Sequence, residues 1–178
     1  MHSEAHREPQ REALARGELD LGLFTLRAGD GDFEGVRLAA DALVAVLPSA
    51  HLLAPRKRVD LAALEAEPWV LFPVELRTEY VRLVIEACAA RGFMPRVVQE
   101  ASQLHTLVAL VSAGLGVTLI PRSVAAVPRH GVVVRPLAHA APALPLHVVW
   151  RRDALNAAGA GFVAVARALA DSGPEARG

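Results

Sequence analysis

The chain has 178 residues, 53% of them hydrophobic and 21% charged, and nineteen basic residues balance nineteen acidic ones. That length and apolar fraction suffice for a real core and exclude a disordered chain. Zero net charge supplies no global field for nucleic acid or an anionic membrane, and no apolar run reaches the roughly 18–20 residues that span a bilayer. A single cysteine, Cys88, excludes an internal disulfide and a multi-thiol zinc cluster.

The first stretch, "MHSEAHREPQREALARGELD", is polar and mixed in charge, unlike a secretory signal. With no cysteine pair either, the pattern favours the cytoplasm. Residues 9–17 predict a short helix, with Pro9 in its first turn and Gly17 as its stop. "LDLGLF", residues 19–24, predicts a buried strand, and "LRAGDGDFEG" a turn-rich loop. "ALVAVLP", residues 42–48, is an apolar run of strand length. Asp60 predicts the N-cap of a short helix that Pro68 closes, and "WVLFP" a further buried strand.

"TEYVRLVIEACAARG" carries the clearest helical period, with Val81, Val84, Ile85 and Cys88 on one face and Gly92 at its end. "RVVQE" predicts a strand. The next helix is predicted from an N-cap at Ser102 to a stop at Gly114, before a strand "VTLIP". "VVVRPL" and "LPLHVVWRR" are further strands. A last helix is predicted from a cap at Asp153, with Phe162, Val165, Ala166 and Leu169 on its apolar face, before a frayed tail "PEARG". Strands alternating with helices predict an α/β architecture with crossover connections.

The glycines of "LVSAGLGVTLIP" do not form a nucleotide loop. A phosphate cradle runs strand, glycine turn, helix, because the helix N-terminus supplies the N–H groups. Here the helix comes first and the strand follows. Gly114 is read instead as a helix C-cap with positive φ, and Gly116 as a tight turn into the strand. His2 and His6 lie four apart without a helical face. His51, His105 and His147 are scattered, and no metal-ligand spacing appears. Ser102 and His105 form no nucleophile arrangement, and the carboxylates show no paired signature. No enzyme, metal or cofactor is expected. In "FPVELRTEY" a buried strand ends and a helix begins at about Thr78. The N–H groups near Thr78, Glu79 and Tyr80 suit a carboxylate ligand, and a plainly capped helix explains the same residues.

Taken in order, "ALARGELDLGL", "ALVAVLPSAHLLA", "VDLAALEAEPWVLFP", "CAARGFMPRVVQE", "LVSAGLGVTLIP", "GVVVRPL" and "LPLHVVWRR" resemble the effector-binding domain of LysR-type transcriptional regulators. "QLHTLVALVSAGLGVTLIP" looks most like the branch that senses aromatic metabolites. The resemblance implies an α/β fold like a type 2 periplasmic binding protein. Two α/β lobes are joined by two crossover strands, near Ala40–Leu43 and Leu144–Leu146, with a small organic acid in the inter-lobe cleft. Residues 1–40 and 145–178 would form the first lobe, and 41–144 the second.

On this resemblance the effector-binding residues would be Thr78, Glu79 and Tyr80, with Arg7, Thr25 and Leu146 facing them. Arg7, in the loop "AHREPQ", departs from the small hydroxyl residue usual there and would offer a cation to an acidic effector. Glu79 would repel a carboxylate unless paired. Ala39 stands where some aromatic-acid sensors carry an arginine, so no second effector site is expected there. The resemblance further implies a homodimer through helix 9–17 and the helix from Thr78. DNA would be contacted only through a winged helix-turn-helix absent from this chain, and the first lobe would lack its first strand and helix. A solute-binding module of a transport system shares the fold and is the competing reading.

Overall fold

The computed structural model describes residues 7–26, 30–76, 78–125 and 130–172. His2, His6 and the tail "PEARG" lie outside them. The chain divides into two compact units, one of Asp41–Leu144 and one of His2–Ala40 with Pro145–Gly178.

The discontinuous unit begins with helix α1 (Arg7–Arg16), ended by Gly17 at φ 72°. Arg7 is thus the first residue of a helix and not part of a loop. Strand β1 is only Gly22–Phe24, shorter than the sequence suggests, and Leu19 is exposed. β1 pairs antiparallel with β7 (Ala143–Arg151), Gly22 opposite Val149 and Phe24 opposite His147. β7 in turn neighbours β2 (Phe33–Pro48).

Alternation along these strands sorts their side chains onto two faces. Val149 packs with Leu14 of α1, Phe24 and Phe33 on one face. On the other, Val148 and Trp150 pack with Val163 and Ala166 of the last helix, α5 (Ala157–Ser172).

α5 departs from expectation at both its start and its face. It starts at Ala157, where Asn156 and not Asp153 serves as the cap, its Oδ1 accepting the Gly159 N–H at 2.8 Å. The buried residues are Gly159, Val163 and Ala166, whereas Phe162, Val165 and Leu169 are 52%, 60% and 63% exposed. Apolar residues occur nearly all round this helix, so periodicity alone does not single out one side.

In the central unit, residues 43–48 of β2 lie between two antiparallel partners. One is β5 (Thr118–Pro121), Leu43 opposite Pro121; the other is β6 (Val132–Pro136), Val44 opposite Pro136. β3 (Pro68–Leu71) runs parallel to β4 (Arg96–Glu100) and meets the residue before β5 through a Trp69–Val117 bridge. Pro68 therefore opens a strand and does not close the preceding 3₁₀ turn, Leu61–Leu64, which Asp60 caps by accepting the Ala62 N–H.

Helices α2 (Glu79–Ala89) and α3 (Leu104–Ser112) contribute to the core with Val81, Val84 and Cys88, and with Leu107, Val108 and Val111. The N-cap of α3 is Gln103, one residue past Ser102, with no side-chain cap bond. Trp69 is fully buried and its Nε1 donates to the Leu64 carbonyl at 3.2 Å.

Two elements had no sequence expectation. One is the first part of β2, whose residues 33–35 fall in the expected loop and whose residues 36–41 carry no expectation. Its Val36 and Leu38 are half-buried between exposed neighbours, a period-2 pattern that polar residues obscure. The other is α4, a single turn at Arg122–Ala125.

The two glycines of "LVSAGLGVTLIP" act differently. Gly114 has φ 79° and stops α3, as its position suggests. Gly116 is not a positive-φ turn. A Cβ there would stand 2.4 Å from the Pro68 carbonyl oxygen, so it is close backbone approach that requires glycine.

Candidate functional site

The start of α2 is built from its cap. Thr78 has extended backbone (φ −64°, ψ 157°) and its Oγ1 accepts the Val81 N–H at 3.2 Å. That satisfies one of the first-turn N–H groups that a helix cannot bond internally. The Thr78 hydroxyl proton has no acceptor among the described residues, so this side chain retains a donor.

Glu79 sits in the first turn, where the helix dipole favours an anion. Its carboxylate pairs with Arg82, which also reaches Glu86 one turn on at 2.6 Å. The repulsion that an unpaired Glu79 would exert on an acidic ligand is thereby reduced.

The Tyr80 side chain points into the core and is 2% exposed. Its hydroxyl donates to the Leu119 carbonyl at 2.6 Å, with Thr118 Oγ1 at 3.4 Å. Burial raises its pKa, against the Thr118 contact that works to lower it. Its ring stands 5.0 Å from that of Phe72. The phenol therefore fixes the helix start to β5 and does not present itself as a ligand group.

In the discontinuous unit, Arg7 is buried. Its Nη2 donates to both Asp30 carboxylate oxygens, at 2.7 and 2.6 Å, Nη1 pairs with Glu8, and Nε donates to the Thr25 carbonyl at 3.3 Å. The guanidinium also lies over the Phe24 ring, 5.7 Å from its centroid. Its charge is balanced within its own unit. Thr25 is buried and its hydroxyl donates to the Pro145 carbonyl at 2.6 Å, so that proton is already used. Leu146 is half-buried on β7.

Next to Leu146, His147 accepts the Leu26 N–H on Nδ1 at 3.2 Å. Desolvation first, and then the positive charge of Arg37, lower its pKa, partly offset by a backbone hydrogen bond at Phe24. It is held as a neutral acceptor.

Sequence reasoning missed the Asp30 partner of Arg7, the Pro145 partner of Thr25, and an Asp41–Ser123 pair in which the Ser123 hydroxyl and N–H both donate to the Asp41 carboxylate. The partners lie 23, 120 and 82 residues apart, and no local motif marks them. A hollow of about 300 Å³ opens on the central unit between Leu61, Leu83, Ala87 and Leu137, with Arg91 and His139 at its rim. None of the six expected site residues lines it. Among the described residues no group of three or more His, Cys, Asp or Glu could hold a metal ion, and no helix is long and apolar enough to cross a membrane.

The model of the LysR substrate binding domain matches residues 3–171. This chain belongs to that family. The HTH-type transcriptional regulator IlvR of Caulobacter vibrioides is 44% identical over 117 residues, which is 66% of this chain and 38% of that protein. The hca operon transcriptional activator HcaR of Escherichia coli is 31% identical over 156 residues, covering 88% of this chain and 53% of its own length. The chain thus spans between about two-fifths and half of these relatives.

Among solved structures, the BenM effector-binding domain with its effector benzoate superposes with a TM-score of 0.79 at 22% identity, covering 93% of this chain and 81% of that one. Full-length CbnR in complex with its target DNA gives 0.82 at 24% identity, over 92% of this chain and 57% of that one. These structures establish the fold, the α/β type 2 periplasmic-binding-protein-like fold of LysR effector domains. The relatives are regulators of transcription by name, not enzymes and not transport proteins.

Proposed function

We propose that this chain is the effector-sensing part of a LysR-type transcriptional regulator, working in the cytoplasm and taking a small organic acid, with aromatic acids the first class to test. The observation that carries the reading is the family match over residues 3–171, nearly the whole chain. DNA contact is assigned to a part of the regulator outside these residues, in keeping with their balanced charge. The effector acts by binding one arrangement of the domain more tightly than another, since equal affinity for both shifts nothing.

Within the site, Thr78 is the residue the local chemistry favours most. It keeps a hydroxyl proton for a carboxylate, beside a helix start whose dipole attracts an anion. Arg7, Thr25 and the Tyr80 side chain serve as supports, because their charge or protons are engaged by Asp30, Pro145 and Leu119. Glu79, paired to Arg82, and Leu146 complete the assignment. Pairing of two copies through α1 and α2 is assigned on the family resemblance.

The test is calorimetric titration and thermal shift with benzoate and a panel of aromatic and aliphatic acids, with promoter footprinting on the complete regulator. Saturable binding by at least one acid, together with an altered footprint, is the expected result. If no acid binds and no footprint changes, effector control is wrong.

A further inference from the structure

No residue assigned to effector binding lines the hollow on the central unit. All its walls belong to the continuous unit Asp41–Leu144, not to the one expected to lack its first strand and helix. Three elements supply them. Leu61 comes from the 3₁₀ turn, Leu83 and Ala87 from α2, and Leu137 from the segment that follows β6 and runs to Pro142. At about 100° per residue, Leu83, Ala87 and Ala90 share one flank of α2, beside the buried Val84 and Cys88, while Ile85 and Ala89 lie on the other.

Close-packed interiors seldom leave room for a ligand, and two features keep this room open. Ala87, Ala90, Ala140 and Ala141 all line it, and their short side chains fill little of it. The wall after β6 is also pinned at both ends. The Ala138 N–H donates to the Val59 carbonyl at 2.8 Å, and the Pro142 carbonyl accepts the Leu43 N–H at 2.8 Å. The Arg58 guanidinium donates to the Leu137 carbonyl at 2.6 Å. This wall is therefore held off α2 without any ligand. At about 30 Å³ per water-sized group, the volume admits about ten non-hydrogen atoms, and it stands at the lower end of the range for small-molecule pockets.

Charge enters at the mouth. Glu86 is held through both carboxylate oxygens by Arg82 Nη1 at 2.6 Å, so its charge is balanced. His139 Nε2 stands 3.5 Å from Asp60, whose carboxylate also accepts the Ala62 N–H. The Arg91 guanidinium has neither an ion pair nor a hydrogen bond among the described residues, and Asp60 acts on it only as a more distant charge. A cation at the rim of an apolar floor suits a ligand with one anionic end and a compact apolar body. Two features select a carboxylate over a phosphate. A single guanidinium matches the two oxygens of a carboxylate, and the nearby C-terminal end of α2 disfavours a second negative charge.

We propose that the hollow is a small-molecule site of the central unit, taking a monocarboxylate of about ten non-hydrogen atoms, its apolar body against Leu61, Leu83 and Leu137 and its carboxylate on Arg91. The site is separate from the one assigned at Thr78 and does not rest on it. One ion pair and one small apolar body hold a ligand weakly, with a dissociation constant of about 0.1–1 mM.

NMR titration of the methyl-labelled 178-residue chain with benzoate tests it. The expected result is saturable shifts of the Leu83 and Leu137 methyl signals over that range. Arg91→Gln, at an exposed position, should weaken the binding about 10-fold. Ala87→Leu, which fills the hollow, should abolish it, and Arg91→Gln decides the matter alone if that variant does not fold. Thr78→Val should leave these shifts unchanged. Benzamide, without the charge, and phenyl phosphate, with a second one, should each bind at least about 5-fold more weakly. No saturation by about 10 mM benzoate overturns the proposal. So do equal or tighter binding of benzamide or phenyl phosphate, unaltered shifts in Arg91→Gln, and loss of the shifts in Thr78→Val, which would mean that they are relayed from the other site. Shifts of the same methyls on raising the protein concentration without benzoate also overturn it, because a second copy would then cover the hollow.

Discussion

Arg7 and Asp30 form a two-oxygen ion pair, 2.6 and 2.7 Å, with side chains only 7% and 10% exposed. Breaking a nearly buried pair from one side strands a charge and costs about 3 kcal/mol or more. Arg7→Met is expected to destabilise the chain by about that amount, and Arg7→Met with Asp30→Leu to lose less than the sum of the two single changes, because the two side chains act as one pair. Urea unfolding of both single variants and the double variant measures this. A loss under about 1 kcal/mol, the value of a surface pair, would mean that water already solvates the contact.

Thr78 separates two roles that share one hydroxyl. Thr78→Ser keeps both the cap and the donor, while Thr78→Val loses both. The cap alone is worth about 1 kcal/mol. If the proton also meets an effector carboxylate, Thr78→Val should weaken binding of that acid by about 10-fold, and Thr78→Ser should leave it nearly unchanged. Titration calorimetry with the best acid of the panel reads the difference. Unaltered affinity in Thr78→Val would remove Thr78 from the site.

The two glycines of one motif should respond differently to alanine. At Gly114 the cost is that of a left-handed backbone, about 1–2 kcal/mol. At Gly116 the new Cβ would press on the Pro68 carbonyl, which cannot retreat because it accepts the Val117 N–H at 2.8 Å. Gly116→Ala should therefore cost about 2–3 kcal/mol, the larger of the two losses in denaturant unfolding.

His147 links stability to pH. It stays neutral in the fold with a lowered pKa, whereas the unfolded chain takes up a proton near the ordinary 6.5. Its contribution is thus complete above that value and is lost as pH falls through the lowered folded value. Melting temperature should fall as the pH is lowered through and below about 6.5. The drop should be smaller in His147→Asn, whose amide oxygen can still accept the Leu26 N–H without titrating.

Cys88 is fully buried, and desolvation pushes its thiol up to about 12. It should resist iodoacetamide in the folded chain and react at the rate of a free thiol in denaturant. Prompt labelling of the folded chain would mean that the buried face of α2 opens readily.

The legible parts of the fold are those where one face alone is apolar. Val81, Val84 and Cys88 marked α2 because Arg82 and Glu86 occupy its other side. α5 was found but turned wrongly, since Phe162 and Val165 are as apolar as Val163 and Ala166 and nothing in the pattern ranks them. The first half of β2 escaped because Glu34 and Arg37 break up a strand that is exposed along one side. For the site, the helix start at Thr78 was visible from its local cap chemistry. What engages Arg7, Thr25 and Tyr80 was not, because Asp30, Pro145 and Leu119 come from distant positions that only the fold brings near. The residue types invited a cation and two hydroxyls for a ligand, and tertiary structure had already used them.

Tyr80 is the only tyrosine in the chain, and it sits two residues from Thr78 with its hydroxyl bonded to β5. That combination makes it an intrinsic optical reporter at the point of interest. Any ultraviolet signature of phenolate formation in this protein comes from one side chain. Because burial disfavours the ionised form, that signature will lag behind free tyrosine on raising the pH and will advance when the α2–β5 anchor loosens. Difference absorbance in alkaline solution can thus follow that local opening without a label, with and without a bound acid.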